Sequence, residues 1–568
     1  MKFRWTLAPP QPLLAETLAA QLKISSLLVQ CLLNRGFSEP LAIENFLTPR
    51  LKNLADPFLL PAMDTAVARL LAAREHDEPF VIFGDYDVDG VSSTALLVEV
   101  FRKLGWRVNH YQPHRMDEGY GLSRDGVENC LKKFPTTLLL AVDCGSTAVE
   151  TIAWLRERGV ETIVLDHHQV ANPPPAAVAL VNPQLSQQFT ELCSVGLAFK
   201  LAHALIKRGR ETNLPGFADF DLKPLLDLVA LGTVADVVPL VGENRIFVSA
   251  GLEKLSSTKR PGLVALKAIA QCPEKIGVSD IGFQLAPRLN ASGRLENAAE
   301  SLHLLLAETE TEATPLAQNL DAHNRERQKI ERGISDQVIG AVRARFNSET
   351  DFVIVEGQLL WHIGVVGIVA SRVLSQFYRP TFIIGGEGGD NWRGSGRSIA
   401  GFDLAAALRE CDDLLVRHGG HAMAAGVTIH PDQLDAFRAR LNEIAKRSLK
   451  REDLQPPLRL DAQVELAELT LGSLAELECL KPHGQANPGV QFFARNLTHA
   501  RPLQRMGADK QHVKLWVTDG ATTHEAVWWN AGKESLPVGT FDLAFAPSVN
   551  DFNGRTTVQL KVLDWQAA

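Results

Sequence analysis

Three aspartates alternate with other residues in the segment 84–90, which has the sequence Gly-Asp-Tyr-Asp-Val-Asp-Gly. This segment directly follows the apolar run 80–83, which has the length and composition of a buried strand. Carboxylates this close to one another repel, and the repulsion costs stability unless cations neutralise it. Asp85, Asp87 and Asp89 are therefore candidate metal ligands, although acidic turns after strands are also common without a metal.

Three further clusters of acidic or imidazole side chains follow the ends of predicted elements: Asp143 after the apolar run 138–142, Asp166, His167 and His168 after the run 162–165, and Asp236 after a predicted helix at 224–230. Short apolar runs that alternate with helical patterns predict a parallel sheet. In such sheets, ligands bind at the carboxyl ends of the strands. We therefore expect these side chains to meet at one place.

The composition of this set favours particular metals. Oxygen ligands with one or two imidazoles suit Mn²⁺ or Mg²⁺, whereas zinc and copper favour thiolates or more imidazoles. The candidate ligands are too many for one ion: Asp85, Asp87, Asp89, Asp143, His167 and Asp236. Two ions about 3.5–4 Å apart that share a bridging carboxylate are the usual arrangement for hydrolysis of phosphate esters. The sequence therefore predicts a site for two divalent cations.

The motifs together resemble a known family. Asp85-Tyr-Asp-Val-Asp-Gly, Asp143-Cys-Gly, Asp166-His-His and Gly232-Thr-Val-Ala-Asp are similar, in this order, to the four motifs of the DHH phosphoesterase superfamily. Residues 287–294 (Pro-Arg-Leu-Asn-Ala-Ser-Gly-Arg) and 419–426 (Gly-Gly-His-Ala-Met-Ala-Ala-Gly) resemble segments of the RecJ-type single-stranded-DNA exonucleases. Two positions are less usual for that pattern, Ser292 in place of alanine and His483 in place of an aromatic residue, and neither belongs to the candidate metal set.

The resemblance implies an α/β fold: a DHH parallel-sheet domain, a second α/β domain of the DHHA1 type joined to it by a long helix, and a C-terminal OB-like β-barrel. The patterns agree with this order, because strands and helices alternate first and short strands separated by glycines fill the tail. The predicted boundaries are 1–78 for an N-terminal helical region that packs on the first domain, 79–312 for the DHH domain, 313–346 for the connecting helix, 347–455 for the DHHA1-like substrate-binding domain and 456–568 for the barrel.

The resemblance also assigns roles to the candidate ligands. It implies one ion held by Asp85, Asp87 and Asp143, and a second ion held by Asp89, Asp143, His167 and Asp236, with Asp143 as the bridge. Asp143, His167 and His168 are the implied catalytic residues. Because His168 directly follows His167, we expect the two rings to point in opposite directions in extended chain. We assign His168 to phosphate contact or proton donation and Asp166 to orienting an imidazole; an ordinary loop is the alternative for the two histidines.

Eight further residues are predicted to contact nucleic acid: Arg115, Arg288, Asn290, Arg294, Arg393, Ser395, Arg397 and His421. Arginine grips phosphate oxygens with a planar fork of N–H groups, and Gly293 permits close backbone approach to a DNA strand. Residues 391–398 have the composition of a phosphate-binding loop, and an ordinary surface loop is the alternative for 287–294. Arg115 is the candidate for a terminal 5′ phosphate, with a surface ion pair as its alternative.

Positive charge and an aromatic residue alternate in the tail: Arg501, Arg505, Lys510, Lys514 and Trp516. Barrels of the predicted type bind single strands through phosphate contacts and base stacking. A barrel that only packs against the core or docks a protein partner is the alternative.

Composition places limits on the class of protein. The 568 residues are 45% hydrophobic and 22% charged, which is ordinary for a globular protein of several domains. A formal net charge of −8 excludes a general polycation but not a local basic groove. The seven cysteines are scattered without a Cys-x-x-Cys pair, which favours a reducing cytoplasm over a disulfide framework. No apolar stretch approaches eighteen residues, so we expect no membrane association.

The resemblance implies a metal-dependent exonuclease that degrades single-stranded DNA from the 5′ end in recombination and repair. Expected partners are a helicase and a single-strand-binding protein, and the protein is expected to be a monomer. A DHH phosphodiesterase for short oligonucleotides or cyclic dinucleotides is the alternative within enzymes. Outside enzymes, the sequence leaves open a non-catalytic DNA-binding scaffold of the same fold and an unrelated α/β protein with acidic turns.

Overall fold

The computed structural model describes residues 3–114, 118–119, 121–295, 299–386, 390–532 and 534–568, with the backbone alone at 294 and 295. The chain forms two compact units. The metal-motif unit consists of Arg35–Asn324 and Leu477–Gly489, and the barrel unit consists of the remaining residues.

A wholly parallel sheet organises the metal-motif unit. Its strands lie side by side in the order Val108–Tyr111, Phe80–Gly84, Leu138–Val142, Glu161–Leu165 and Ala179–Val181. The apolar runs are continuous because both faces of the sheet are covered. Phe80 and Ile82 pack into one core, whereas Val81 and Phe83 pack into another. The runs at 80–83, 138–142 and 162–165 therefore predicted three adjacent strands.

Helices surround this sheet: Pro40–Leu47, Met63–Glu75, Val88–Lys103, Arg124–Lys133, Val149–Glu157, Ser194–Glu211, Leu226–Ala235, Gly242–Ser256, Pro261–Ile269, Val278–Asp280, Ala286–Leu295 and Ala299–Leu306. A π-helical turn, Ile281–Leu285, leads into the helix Ala286–Leu295. Residues 287–294 are thus helical rather than a loop. Pro287, which has no N–H to donate, lies just after the π-helical turn, where the regular α-helical hydrogen bonding is already interrupted.

The barrel unit contains a mixed sheet with strands in the order Arg417–Gly420, Ala424–Ile429, Trp392–Arg397, Thr381–Gly385 and Ile354–Gln358. Only the last two strands are parallel to each other. The helices of this unit include Pro12–Leu22, Ser26–Asn34, Ile363–Phe377, Leu404–Arg409 and Leu434–Ser448.

The segment 391–398, which was predicted to be a loop, contains the strand Trp392–Arg397. Its glycines face the core, where a Cβ on Gly394 would lie 2.5 Å from Ile384 and one on Gly396 would lie 2.4 Å from Phe382. The glycines are there because the strand lies against large apolar side chains.

The tail forms a closed barrel. Its sheet has the order Ala462–Gln463, Phe492–His499, Phe541–Phe552, Arg555–Ala567, Thr523–Trp528, His512–Thr518 and Gln504–Met506. Pairing of Thr498 with Thr518 joins two non-neighbours in this order and closes a ring of five strands. A short helix, Leu471–Leu477, precedes the ring. The structure therefore has the five-stranded barrel that the tail predicted.

A helix of 36 residues, Glu310–Arg345, begins in the metal-motif unit and ends in the barrel unit. Within the described residues, no helix has on its own the length and apolar content to cross a membrane. The helices Pro12–Leu22 and Ser26–Asn34 reach that length and content only as a pair, with a bend of 116° between them.

Two segments lie elsewhere than the predicted boundaries placed them. The strand Arg4–Leu7 pairs with Pro457–Leu460, so residues 3–34 belong with the barrel and not with the first domain. Conversely, Leu477–Gly489 belongs to the metal-motif unit. There the buried Arg245 guanidinium donates to the carbonyl oxygens of Leu480 and Lys481 at 3.0 and 2.8 Å. Composition does not reveal that either segment belongs to the other unit, because both placements depend on contacts between residues distant in sequence. The other predicted boundaries stay predictions.

Candidate metal centre

The first three aspartates lie where a strand ends and a helix begins. Phe80–Gly84 ends just before Asp85, and Asp87 is the N-cap of the helix Val88–Lys103. The Oδ1 atom of Asp87 accepts hydrogen bonds from the backbone N–H groups of Asp89 and Gly90 at 2.9 and 3.1 Å. N-capping thus fixes the orientation of this carboxylate, with Oδ2 as the second oxygen for a ligand.

Two glycines permit the close packing of this turn. A Cβ on Gly90 would lie 2.6 Å from the carbonyl oxygen of Asp85. A Cβ on Gly232 would lie 3.1 Å from Oδ1 of Asp89 and 2.8 Å from Val195. Neither position accommodates a larger residue without displacement of the aspartate beside it.

Asp89 is held at the N-terminus of the helix Ser194–Glu211. Its Oδ2 accepts from the N–H of Ser194 at 2.7 Å, and its Oδ1 accepts from the N–H of Val195 at 2.8 Å. Unpaired N–H groups at a helix start are natural anion sites. The carboxylate is therefore oriented within the core, where it is 1% exposed.

Asp143 directly follows the strand Leu138–Val142 in a left-handed backbone conformation, with φ of 63°. Its Oδ1 accepts a 2.8 Å hydrogen bond from the Ser194 hydroxyl. Sparsely populated conformations of this kind persist where the surroundings determine them, often at functional sites. Ser194 thus contacts two predicted ligands, Asp89 through its N–H and Asp143 through its side chain.

The two adjacent histidines lie beyond the strand Glu161–Leu165. Their ring centroids are 4.4 Å apart, so the expectation that the rings point in opposite directions was wrong. The chain leaves the extended conformation after Leu165, because Oδ1 of Asp166 accepts from the backbone N–H groups of both histidines at 2.8 and 3.2 Å. The same oxygen contacts Nδ1 of His168 at 2.8 Å.

Asp236 is the C-cap of the helix Leu226–Ala235, which is longer than the helix predicted at 224–230. Val237 follows it with φ of 61°, a strained conformation for a β-branched residue. The chain thus turns sharply at the end of the helix, where the Asp236 carboxylate lies beside His167.

The predicted ligands form three groups whose ligand atoms lie within 4.8 Å of one another: Asp85 with Asp87 and Asp143, Asp89 with His167 and Asp236, and Asp143 with His167 and His168. The structure thus brings all six together, with His168 beside them. Asp143 belongs to two of the groups, and His167 links one of these to Asp89 and Asp236.

The surroundings of the His167 side chain indicate whether these residues fit a metal. Its Nε2 atom is buried and has no hydrogen-bond partner. It lies 3.5 Å from Asp143 Oδ1, 3.6 Å from Asp236 Oδ2 and 3.9 Å from Asp89 Oδ2. These distances are too long for hydrogen bonds, but they suit ligand atoms that share one ion about 2.0–2.2 Å away from each. The donor set therefore fits a divalent cation.

The electrostatics of the cluster agree. Burial, followed by the charge of Asp87, raises the pKa of Asp89 to about 7. Burial, followed by the charges of Asp89 and Asp87, raises the pKa of Asp236 to about 8. Burial and the neighbouring aspartates also raise the pKa of Asp143 well above its usual value. Carboxylates that oppose one another's ionisation in this way call for a cation.

The histidines differ in charge. Burial, followed by the charge of His168, lowers the pKa of His167 to about 4, so its ring is neutral and suited to ligation. Burial lowers the pKa of His168, but the hydrogen bond and charge of Asp166 outweigh it and raise the pKa to about 9. For Asp166, burial acts to raise the pKa. The contact with His168 and the hydrogen bonds from Ser146 outweigh burial and hold the pKa of Asp166 well below its usual range.

Two of the predicted nucleic-acid contacts in the metal-motif unit interact within the protein. Arg288 donates to Asp321 at 2.9 Å, and Asn290 Oδ1 accepts from the N–H of Val88 at 3.2 Å. Asn290 thus holds the turn that carries Asp87. Arg115 and the side chain of Arg294 lie outside the described residues.

The other predicted contacts lie in the barrel unit. Arg393, Ser395 and Arg397 occupy alternate positions of the strand Trp392–Arg397 and share the face opposite its glycines. Ser395 and Arg397 lie over Gly367, where a Cβ would be 3.4 Å and 3.1 Å from them. His421 is exposed just after the strand Arg417–Gly420.

Sequence reasoning missed two residues of the site. One is Ser194, and the other is the buried Asn182, whose Nδ2 donates to the Ser146 hydroxyl and to the carbonyl oxygen of His168, both at 2.8 Å. A serine at a helix start was a visible signal. Asn182 gave none, because an asparagine after a short strand is typical of an ordinary turn.

Known proteins share these features. Three domain-family models match in order: the DHH family, N-terminal domain, at residues 79–233, the DHHA1 domain at 349–447 and the RecJ OB domain at 460–564. The predicted order of domains is thereby confirmed. The single-stranded-DNA-specific exonuclease RecJ of Bacillus subtilis (strain 168) is 37% identical over 573 residues, which cover 99% of this chain and 71% of that protein.

Two solved structures have the same fold. RecJ from Thermus thermophilus in complex with Mn²⁺ matches with a TM-score of 0.85 and 29% identity, over 100% of this chain and 80% of the other. The structure of RecJ from the same organism with Mg²⁺ matches with a TM-score of 0.80 and 28% identity, over 100% and 78%.

Proposed function

Since this chain belongs to the RecJ family of single-stranded-DNA-specific exonucleases, we propose that it hydrolyses single-stranded DNA from the 5′ end and releases mononucleotides. The observation that carries the proposal is the convergence of six ligand-type side chains, one of which is the buried His167, whose Nε2 atom has no hydrogen-bond partner. A non-catalytic protein of the same fold would have no need of this set, whose ionisation is unfavourable without cations.

The residues divide between two ions. Asp85, Asp87 and Asp143 would hold one, and Asp89, Asp143, His167 and Asp236 would hold the other. When bound, divalent cations neutralise the phosphodiester and acidify water, and the Mn²⁺ and Mg²⁺ of the related structures agree with the predicted choice of ion.

His168 is the proposed proton donor. With its pKa raised to about 9 it is protonated at neutral pH, and Asp166 holds its ring in place. As water adds to the phosphorus, the bond to the 3′ oxygen of the terminal nucleotide breaks, and that oxygen takes the proton. The products are a 5′-mononucleotide and a strand one nucleotide shorter that carries a new 5′ phosphate.

We assign the strand contacts to Arg288, Arg393, Ser395, Arg397 and His421, together with Arg115 and Arg294. Asn290 also remains assigned to this set, although its Oδ1 holds Val88. The protein acts as a monomer in recombination and repair, beside a helicase that supplies single strands and a single-strand-binding protein that covers them.

The test uses single-stranded DNA, double-stranded DNA and single-stranded RNA of one sequence, each labelled at the 5′ or the 3′ end and incubated with Mn²⁺. We expect the 5′ label of single-stranded DNA to appear first, as a mononucleotide, and the 3′ label to appear last. Earlier release of the 3′ label would contradict the polarity. Equal rates on the duplex or on RNA would contradict the substrate.

A further inference from the structure

A cavity of about 620 Å³ lies in the metal-motif unit, away from the metal centre. Its walls include the end of the helix Val88–Lys103, the connection from Gly242–Ser256 to Pro261–Ile269, and the residues after Ala299–Leu306. Asp89 lies at the start of the helix that ends at Lys103. At ~1.5 Å per residue, about 20 Å of helix separates the two. The cavity is therefore a separate site.

Positive charge predominates in this cavity, although the chain carries a formal net charge of −8. The basic lining residues are Arg102, Lys103, Lys254, Lys259 and Arg260, and the acidic ones are Glu99, Asp227 and Glu308. Two of the acids are neutralised by two of the cations, because Arg260 pairs with Glu99 at 2.8 Å and with Asp227 at 3.4 Å, and Lys103 pairs with Glu99 at 2.6 Å. A local excess of positive charge attracts anions in spite of the opposite overall charge.

Three of the cations are available to a ligand. Arg102, Lys254 and Lys259 are exposed, and none of them forms an ion pair with another residue in the part of the chain that the structure describes. An arginine fork binds two phosphate oxygens at once, and lysines add point charges. This combination suits a phosphate group better than a lone carboxylate.

The remaining lining includes apolar surface from Val98, Pro224, Pro261, Leu306 and Ala307. The volume lies within the range of about 300–1,000 Å³ that is typical of small-molecule sites. A cavity of this volume favours a compact ligand over an acidic peptide, which binds along an extended groove. A nucleobase has the flat apolar faces that such walls accommodate.

We propose that this cavity binds a nucleoside phosphate, with the phosphate at Arg102, Lys254 and Lys259 and the base against the apolar walls. Two sources share this chemistry: the mononucleotide released by the proposed reaction and the nucleoside triphosphates of the cell. The site does not depend on the proposed function, because it shares no residue with the metal centre.

The test is equilibrium binding of labelled dTMP and of labelled ATP to the full chain in EDTA, so that the metal centre cannot retain phosphate through a cation. The variant Lys254→Glu/Lys259→Glu reverses two exposed charges of the cavity. The control Lys52→Glu/Lys275→Glu makes the same charge change at exposed lysines of the same unit. We expect about one nucleotide per chain, affinity at least tenfold weaker in the cavity variant, and unchanged affinity in the control.

Arg102→Gln gives a second measurement if the double variant unfolds, and it should also weaken binding at least tenfold. Thymidine should not compete, and inorganic phosphate should compete less well than either nucleotide. Stronger binding of dTMP identifies the reaction product as the ligand, and stronger binding of ATP identifies the cellular triphosphates. The proposal is overturned by absence of saturable binding at millimolar nucleotide, by equal losses in the cavity and control variants, or by competition from an acidic peptide alone.

Discussion

Asp143 is the residue that we propose as the bridge between the two ions. Its backbone is left-handed, the Ser194 hydroxyl donates to its Oδ1 atom, and it shares one group of ligand atoms with Asp85 and Asp87 and another with the two histidines. Burial and neighbouring charges raise its pKa, so its ionised form depends on a cation nearby. A substitution at this position should therefore affect chemistry much more than strand binding.

We expect Asp143→Asn to lower the turnover number by about 1,000-fold or more, because an amide cannot bridge two cations. Binding of single strands should change less than about threefold, since the phosphate contacts lie elsewhere. Asp219→Asn, at an exposed aspartate of the same unit, is the matched control. Wild-type turnover in Asp143→Asn would contradict the bridging role.

The stability of the metal-free protein should depend on pH through the same residues. Folding raises the pKa of Asp89 from 3.8 to about 7 and that of Asp236 from 3.8 to about 8. Each carboxyl then binds its proton more tightly in the folded state. Its stabilising contribution is thus full below about pH 4 and is lost as pH rises through about 7–8. His168, with its pKa raised from 6.5 to about 9, acts in the same direction above pH 6.5.

His167, whose pKa is lowered from 6.5 to about 4, opposes this trend only between those values. We therefore expect the melting temperature in EDTA to fall between pH 6.5 and 9, and Mn²⁺ to raise it most at the alkaline end. Calorimetry at a series of pH values measures this. Asp236→Asn should have a shallower slope, and a pH-independent melting temperature in the wild type would count against the assigned shifts.

For single residues, the sequence indicated which side chains are candidate ligands but not which residues surround them. Asp85, Asp143 and Asp236 were recognisable because acidic residues ended predicted elements. The positions of the His167 and His168 rings were not, because they depend on hydrogen bonds from their own backbone to Asp166. The contact of Ser194 with Asp143 spans 51 positions in sequence, and no local pattern indicates it.

Among the elements, two helices position the second group of ligands, and Arg260 ties them together. Glu99 lies on the helix Val88–Lys103, which begins near Asp89, and Asp227 lies on the helix Leu226–Ala235, which ends at Asp236. Arg260 pairs with both acids in a largely buried position. The spacing of the two ligands thus depends on a contact at the far ends of their helices.

We expect Arg260→Ala to lower the free energy of unfolding by about 3–5 kcal/mol, because it leaves the buried Asp227 without its cation and Glu99 with Lys103 alone. Arg107→Ala is the control, since it removes an exposed pair with Asp77 and should cost at most about 1 kcal/mol. Urea unfolding of both variants with the wild type measures the difference. Equal losses would mean that Arg260 does not brace the helices.

The success of sequence reasoning differed between elements for a physical reason. Strands buried on both faces, such as Leu138–Val142, have continuous apolar sequences that predict them directly. The strand Trp392–Arg397 has glycine where other strands have apolar side chains, because Ile384 and Phe382 fill that space. Its composition therefore resembled a loop, and only the packing partner distinguishes the two.

For the whole molecule, the barrel carries a half-buried combination of charge and aromatic surface. Lys514 and Trp516 occupy outward positions of the strand His512–Thr518, whose alternate residues are buried. Lys514 Nζ lies 5.9 Å from the centroid of the Trp516 ring, and the guanidinium of Arg501 lies 5.6 Å from it. Lys514 also pairs with Glu525 at 2.9 Å, and the exposed Arg501 beside the ring agrees with stacking of a base next to a phosphate contact.

We expect Trp516→Ala to weaken binding of a long single strand by about 5- to 150-fold, from about 1–3 kcal/mol per stacked base. Cleavage of a strand too short to reach the barrel should keep its rate. Trp529→Ala is the control, since this exposed tryptophan lies in a cavity with the acidic residues Glu534 and Asp564. Fluorescence anisotropy gives the affinities, and equal losses in the two variants would assign the barrel another role.

The order of the domains followed from motif order, but the membership of residues 3–34 and Leu477–Gly489 did not. A strand of four residues, Arg4–Leu7, has little sequence signal of its own, and its pairing with Pro457–Leu460 joins distant parts of the chain. Long-range pairings of this kind decide which segment belongs to which unit, and composition does not record them.

Anomalous diffraction from crystals soaked in Mn²⁺ tests the central claim most directly, because it locates the ions themselves. The account predicts two peaks about 3.5–4 Å apart, one beside Asp85 and Asp87, the other beside Asp89, His167 and Asp236, with Asp143 between them. A single peak, or peaks away from these side chains, would contradict it.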